Sequence, residues 1–339
     1  MTIETQTPAK PTIHDIARIA GVSTATVSRT LSQPDRVQLE TRERVMAAVQ
    51  QTGYRANSVA RNLRTQRTNA ILVLAPNLAN TFFSQIISAI TDVAAANGYG
   101  VLIADSAPQG NHAANIVQLS ADGRADGVIS LDGALDPLRI TRSKLPLVMA
   151  CEWSPDSDLP SVTINNAEGT HLAIQHLTSL GHTKIAHISG PADNVLSKAR
   201  KQGWRDALHA LQLPTSNCFD GDFTLKSGAE AAKLWLATAP DQRATAVFCA
   251  SDECALGFIG HVTHAGLTVP DDVSVVGFDD VELAEHFMPS LTTIHQPRER
   301  IGKRAAEMLI RLMRGQDASP SDAETLPVTL VIRGSTGPV

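Results

Sequence analysis

The residues best placed to meet another molecule sit near the amino terminus. Thr24, Ala25 and Thr26 are three consecutive small residues, followed by Ser28 and Arg29. Small side chains let a backbone approach base edges, and an arginine fork can bind guanine through two parallel hydrogen bonds. Such a set needs a short helix presented by a second one, and the flanking sequence supplies it. Thr12 is placed to cap a helix, with Asp15 in the capping-box position in place of Glu. Ile13, Ile16, Ala17 and Ala20 recur at helical spacing. Gly21-Val22-Ser23 breaks that helix, and Ser23 suits the N-cap of a second, from Thr24 to about Leu31. A third, roughly Thr41 to Gln51, closes a small core with Val45, Ala48 and Val49 and stops at Gly53. Two short helices about a tight glycine turn make a helix-turn-helix; a generic helical hairpin would show the same spacing. Further on, Asn57 can cap Ser58 to Arg64, where Val59 and Leu63 lie four apart beside basic residues.

Charge separates this stretch from the rest. The whole chain carries −5 over 339 residues. Residues 1–67 hold ten Lys/Arg against five Asp/Glu, and the remainder holds 19 against 29. A basic module on an acidic body is an electrostatic footprint for nucleic acid. The composition, 43% hydrophobic and 19% charged, suits a soluble protein of two or three domains. Cys151, Cys218, Cys249 and Cys254 show neither zinc spacing nor a disulfide framework, so they read as buried free thiols. The segment MTIETQTPAK has no apolar core of a signal peptide, and no run reaches membrane-span length. A cytoplasmic protein without a membrane partner is expected.

Beyond residue 69 the pattern alternates. Apolar runs at Ala70–Ala75, Gly100–Ala104, Gly127–Ser130, Pro146–Ala150, Ile185–Ile188, Ala246–Ala250, Val273–Phe278, Thr292–His295 and Val328–Ile332 read as strands. Helical stretches at about 82–97, 111–121, 168–180, 198–211, 229–237, 253–265 and 298–314 lie among them. Alternating strands and helices imply parallel sheets covered on both faces, and this length implies two lobes. Ligands in such sheets bind beyond the carboxyl ends of the strands. The groups that fall there are Asn77 to Phe83, Asp105, Asp132, Glu152 and Trp153, Ser251 and Asp252, and Asp279 and Asp280.

Specific motifs now carry a resemblance. The first helices read D-x-A-x-x-A-G-V-S-x-x-T-V-S-R, followed by T-R-E-R-V, G-Y-x-x-N and V-A-R-x-L. The body reads L-G-H-x-K-I-A-x-I-S-G-P (180–191), G-D-F (221–223), F-C-A-S-D-x-x-A-L-G (248–257), V-P-D-D-V-S-V-V-G-F-D-D (269–280), L-T-T-I-x-Q-P (291–297) and R-G-S-T (333–336). Over nearly its whole length the chain resembles the lactose repressor family. Within that family, N-T-F-F-S-Q-I-I, Y-G-V-L-I-A-D, V-M-A-C-E-W-S-P-D-S-D-L-P-S-V and G-D-F-T are most similar to the nucleoside-responsive (cytidine) repressor branch.

The resemblance implies an α/β chain: an all-α helix-turn-helix headpiece and a two-lobed, periplasmic-binding-protein-like body of parallel sheets covered by helices. The expected divisions are a disordered tail (1–11), headpiece (12–56), hinge helix and linker (57–68) and body (69–339). The first lobe would span about 69–180 and 297–327, the second about 181–296 and 328–339. The DNA-facing set is Thr24, Ala25, Thr26, Ser28, Arg29, Asn57, Ala60, Arg61, Leu63 and Arg64. Leu63 would be a minor-groove wedge that trades unstacking for a bent duplex; a core leucine is the other reading. The effector-binding set is Phe82, Phe83, Arg200, Phe223, Asp252, Asp279 and Gln296. Each has a plainer reading: core packing for the phenylalanines, a solvated helix face for Arg200, a turn for Asp279. Asp252 and Gln296 are the weaker candidates, with a mostly structural role as the plainer reading of Asp252.

Flat apolar faces beside hydrogen-bonding groups suit a nucleoside first and a sugar second. Leu196, where the purine-responsive branch uses polar contacts, argues against a free purine. The histidines show no metal spacing, and no phosphate loop or nucleophile elbow occurs. No cofactor and no catalysis are expected. The function implied is a ligand-responsive repressor that binds a near-palindromic operator as a homodimer. A two-lobed α/β enzyme acting on a sugar or nucleoside, or a solute-binding protein, would share the body alone. No leucine heptad follows Arg333, so a dimer without a tetramerising bundle is expected.

Overall fold

A computed structural model of the chain describes residues 11–54, 67–106, 123–134, 145–155, 157–215, 217–316 and 323–339. It divides into two units, residues 1–67 and 68–339. Residues 1–10 of the expected 1–11 tail, Asn57 to Arg64 and the expected helix at 111–121 lie outside the described residues.

The headpiece is built on local signals that agree with one another. Helix α1 (Ile13–Ala20) starts at a complete capping box. Asp15 accepts from the Thr12 amide at 3.0 Å, and the Asp15 amide donates to the Thr12 hydroxyl at 3.4 Å. It ends at Gly21, whose φ of 64° is left-handed and so favours glycine. Helix α2 (Thr24–Ser32) is capped by Ser23, which accepts from the Thr26 amide at 3.1 Å. A 3-10 turn at Pro34–Arg36 leads to α3 (Leu39–Thr52), which begins two residues earlier than the apolar pattern indicates. Ile16, Ala17, Ala20, Val27, Val45 and Ala48 form the core, closed by Ile13, Val22, Leu31, Val49 and Tyr54.

The body holds two sheets, each six-stranded among the described residues. The first comprises β1 (Ala70–Ala75), β2 (Gly100–Asp105), β3 (Gly127–Ser130), β4 (Leu147–Ala150), β5 (Ser161–Ile164) and β11 (Ala323–Leu326). Its order is β11-β5-β4-β3-β1-β2, and every pairing is parallel. The second comprises β6 (Ile185–Ile188), β7 (Cys218–Phe219), β8 (Ala246–Cys249), β9 (Ser274–Asp279), β10 (Thr292–His295) and β12 (Thr329–Val331), in the order β12-β10-β9-β8-β6-β7. Only the β10–β12 pairing is antiparallel. Strand order reverses at β1 in one sheet and at β6 in the other. Such switch points open a crevice at the carboxyl ends of the strands.

The helices that position the crevice are α4 (Phe82–Ala96), α5 (Asn166–Ser179), α6 (Val195–Ala210), α7 (Leu225–Ala237), α8 (Asp252–His264), the short α9 (Glu282–His286) and α10 (Arg298–Met313). Helices α4 and α10 pack together, and α10 lies on β3, β4 and β5. Helix α5 packs on α6 and on β8, β9, β10 and β12. This corrects the expected lobe boundary near residue 180. The first crossover falls at Asn165, because Gly169 lets α5 close on Phe278 and Ile294 of the second sheet. The chain crosses back between His295 and Arg298, and again between Leu326 and Thr329. Strands β5, β7 and β11, and helix α9, are absent from the apolar pattern, since each is short or half-exposed. Cys151, Cys249 and Cys254 are buried free thiols and Cys218 is half-buried. Among the described residues no helix is long and apolar enough to cross a membrane.

Gly302 is where α10 meets α4, and a Cβ there would collide with the Ile86 carbonyl oxygen. Gly302→Ala should force the helices apart and destabilise the body by about 1–3 kcal/mol, as overpacking does. Urea unfolding measures it, and an unchanged midpoint would show that the pair has slack.

Candidate functional site

The headpiece presents one face of α2. Val27 and Thr30 are buried, and Leu31 packs beside them. At about 100° per residue this leaves Thr24, Ala25, Ser28 and Arg29 on the opposite arc. Ala25 and Arg29 are exposed; Thr24, Thr26 and Ser28 are half-buried. Thr26 differs from its neighbours. Its hydroxyl lies 2.9 Å from the Ser23 hydroxyl, so it is engaged in the cap that starts the helix.

The body encloses a cavity between its lobes. Its empty volume is about 390 Å³, which includes space open to solvent, and its walls include Phe82, Phe83, Glu152, Arg200, Phe223 and Asp279. The first three follow β1 and β4 of one lobe, and the last three belong to the other.

Arg200 lies in the second turn of α6 and is 2% exposed. Its Nε donates to Asn166 Oδ1 at 2.9 Å, and its Nη1 donates to the Ala250 carbonyl. Nη1 lies 3.6 Å from Asp279 Oδ1. The guanidinium sits 3.7 Å from the Phe278 ring centroid and 5.9 Å from that of Phe223. Its Nη2 has no hydrogen-bond partner among the described residues. Burial favours the neutral form of Arg200, and the nearby Asp279 and Glu152 charges oppose that.

Asp279 ends β9 with φ of 125°, a conformation that L residues rarely adopt. It accepts from Gln296 Nε2 at 2.6 Å. Burial raises its pKa to about 8 despite Arg200. Phe223 also has positive φ, 69°. Its ring lies over Gly190, where a Cβ would strike it, and its carbonyl accepts from the Ser251 hydroxyl at 3.0 Å. Phe82 and Phe83 stand edge to face, 5.1 Å between centroids. Both belong to the buried core and both line the cavity, so the core and ligand-wall readings coincide in them.

Glu152 joins the lobes. It accepts from the Gly133 amide at 2.8 Å and, across the cleft, from Asn194 Nδ2 at 2.7 Å. Burial pushes its carboxyl upward. Asn194 meanwhile caps α6 through its own oxygen.

Two residues of the expected effector set stand behind the wall. Asp252 is fully buried and accepts from the Val281 amide at 2.8 Å and from the Thr293 hydroxyl. Both of its oxygens are thereby used inside the protein. Gln296 reaches the cleft through Asp279. Sequence reasoning did not single out Asn166, which orients Arg200, or Cys151, which lines the cavity with φ of 66°. The strand-end rule reaches Cys151, directly after β4; nothing local marks Asn166. Among the described residues no cluster of three or more His, Cys, Asp or Glu is arranged to hold a metal.

Known proteins share both parts of this chain. Residues 12–57 match the family described as bacterial regulatory proteins, lacI family, and residues 174–336 match a periplasmic binding protein-like domain. The transcriptional repressor CytR of Escherichia coli (strain K12) is 38% identical over 330 residues, covering 96% of each chain. The chain belongs to the lacI family of bacterial regulatory proteins. PurR of Vibrio parahaemolyticus is 35% identical, covering 96% of this chain and 98% of that repressor. The lac repressor dimer bound to operator and the anti-inducer ONPF superposes with a TM-score of 0.85 at 32% identity. That match covers 97% of this chain and 100% of that one. As a lacI-family member the chain is a DNA-binding, ligand-responsive transcriptional repressor and not an enzyme.

The cleft carboxyl makes a stability prediction. Asp279 is raised from 3.8 to about 8, so between these values the folded body holds a proton that the unfolded chain releases. This contribution is full below the lower value and is lost as pH rises through the upper one. Asp279→Asn cannot ionise, so its unfolding midpoint should gain on the wild type between about pH 5 and about pH 8. Urea titrations at both pH values measure the difference. A gap that stays constant would mean that Asp279 is ionised throughout.

Proposed function

We propose that this repressor binds a near-palindromic operator as a homodimer in the cytoplasm and is released by a nucleoside held between the lobes of its body. The observation that carries the ligand reading is Arg200. It is buried at the cavity wall, which it shares with Phe82, Phe83 and Phe223, is stacked on Phe278, and has no partner for Nη2 among the described residues. A buried donor without a partner is costly and is satisfied by a ligand acceptor. A base carbonyl or ring nitrogen supplies that acceptor while the ring lies against an aromatic face. Asp279 would accept from a ribose hydroxyl or a base NH. Asp252 and Gln296 would support the cleft from behind.

On DNA, Thr24, Ala25, Ser28 and Arg29 would face base edges, with Thr26 chiefly holding the helix start. Asn57, Ala60, Arg61, Leu63 and Arg64 would form the hinge contacts in the minor groove. The proposed divisions are a headpiece at 12–56, a hinge at 57–68 and a body from 69. Whole-length similarity to the CytR and PurR repressors, and to a lac repressor dimer on operator, supports this reading. Effector and operator must weaken each other by the same factor. A pyranose is the second candidate, because aromatic walls with one arginine and one carboxyl also suit a sugar.

The test is fluorescence anisotropy on an operator selected from random duplexes, titrated with nucleosides and then with monosaccharides and disaccharides. Release by a nucleoside alone supports the proposal; release by a sugar alone replaces it with the second reading. Arg200→Ala should abolish release while leaving operator affinity intact, and a normal response would remove Arg200 from the site. Arg29→Ala should cost about 1–3 kcal/mol on the operator and relax one base preference. Unchanged affinity would refute the recognition-helix assignment.

A further inference from the structure

Arg298 is the first residue of α10, where the chain returns from the second lobe to the first. It does not line the effector cavity, yet it is only 5% exposed. Its Nη2 donates to the Asp280 carbonyl of the second lobe at 2.7 Å. Its guanidinium carbon lies 6.0 Å from the ring centroid of Phe82 in the first lobe, at the outer range where a cation is drawn to a ring face. Both contacts adjoin the cavity. Phe82 is part of its wall, and Asp280 directly follows Asp279, which is another part.

The backbone makes the second-lobe contact sensitive. Asp279 and Asp280 both have positive φ, 125° and 55°, and such a turn persists only where its surroundings hold it. The Asp280 side chain is held within the second lobe, by His295 at 2.8 Å and Arg333 at 2.7 Å. Its carbonyl is held from the first lobe, by Arg298. Behind Arg298, α10 packs on α4, which starts at Phe82, and Gly302 leaves no room for a Cβ between them. A shift of the Asp279–Asp280 turn therefore reaches α10, and α10 carries α4 with it. Burial favours the neutral form of Arg298, and the Asp279, Asp252 and Asp280 carboxyls oppose that. Its buried Nε has no hydrogen-bond partner among the described residues. A cation buried on those terms is weak evidence for a stabilising role.

We infer that Arg298 is a positioning residue of the allosteric response: it ties the Asp280 carbonyl to Phe82 and so couples occupancy of the cavity to the lobe angle without touching the effector. This rests on the reading of that cavity as the effector site.

The quantity that tests it is the coupling factor, the ratio of operator Kd with saturating effector to operator Kd without it. Anisotropy on the full-length protein measures it, with cytidine, uridine, adenosine and guanosine as probes, then glucose, galactose, ribose and maltose. Calorimetry gives each probe's own Kd, and urea unfolding checks the fold. The wild type should show a factor of about 5–150 with the probe that acts, and Arg298→Met should bring it within about twofold of one while still binding that probe. Arg298→Lys keeps a cation and a donor but loses the planar fork, so its factor should fall between the two. Arg300→Gln should keep the wild-type factor, because Arg300 is exposed and faces Glu324 of its own lobe at 4.0 Å. A wild-type factor in Arg298→Met overturns the inference. So does a probe affinity lost together with the factor, or an equal fall in Arg300→Gln. If Arg298→Met does not fold, Arg298→Lys decides: a lowered factor with the probe still bound supports the inference, and an unchanged factor overturns it. A wild type insensitive to every probe is a failure of the effector reading and takes this inference with it. A responsive wild type beside an equally responsive Arg298→Met is a failure of this inference alone.

Discussion

Removing a guanidinium from water costs several kcal/mol unless its donors and its charge are answered on the spot. Arg200 makes that demand on the second lobe, and much of the cleft is arranged to meet it. Asn166 must stand at the start of α5 to take Nε. The chain leaving β8 must turn its Ala250 carbonyl inward, and β9 must end with a carboxyl group beside Nη1. Phe278 supplies a flat face, which stacks on a guanidinium better than on an ammonium. One side chain thus fixes a helix start and two strand ends. A hydrophobic residue of similar volume would serve stability as well or better, so the buried pair is poor evidence for a structural role. The donor left unpaired on Arg200 argues instead for a site kept ready for a ligand.

Strain is concentrated at the same place. Cys151, Phe223, Asp279 and Asp280 all have positive φ, and the first three line the cavity. Each such residue costs on the order of 1–3 kcal/mol and persists where its surroundings over-determine it. The cleft is also bridged from both sides. Glu152 of the first lobe reaches Asn194, which caps α6 of the second. Glu253 of the second lobe meets the backbone of Thr81, which precedes α4 of the first. Each lobe sends a carboxylate to the start of a helix in the other, and burial pushes both carboxyls upward. The bridged arrangement therefore holds charge at a cost, which leaves the lobe angle open to displacement by a ligand.

The sequence made the headpiece legible because its signals are local. Thr12, Asp15, Gly21 and Ser23 act within four residues of where they stand, and the structure uses each of them. Strands buried on both faces, such as β1, β8 and β9, are legible as apolar runs. Strand β11 is not, since Ala323 and Thr325 are exposed and only parallel pairing with β5 makes it a strand. The crossover at Asn165 was hidden for a similar reason: Asn165 caps a helix with no sign of which sheet that helix joins. Asp252 and Asp279 show the limit most clearly. Both follow buried strands and are indistinguishable by position. Gly277 leaves room for the Asp252 carboxylate beneath β9, where Val281 and Thr293 consume it, while Asp279 faces the cavity.

The contacts around Asp279 give the proposed release a physical route. Asp279 Oδ1 is shared by Gln296 at 2.6 Å and Arg200 at 3.6 Å. Gln296 lies in the crossover between β10 and α10, and Arg298, two residues on, donates to the Asp280 carbonyl. An effector that donates to Asp279, or accepts from Arg200, competes for an oxygen that also holds the crossover. Ligand binding and lobe angle then draw on the same acceptor, so occupancy of the cavity carries a differential energy between lobe arrangements. That differential is what a ligand needs to shift an equilibrium at all. A ligand that filled the aromatic walls without touching this acceptor would bind, and yet would leave the operator affinity where it was.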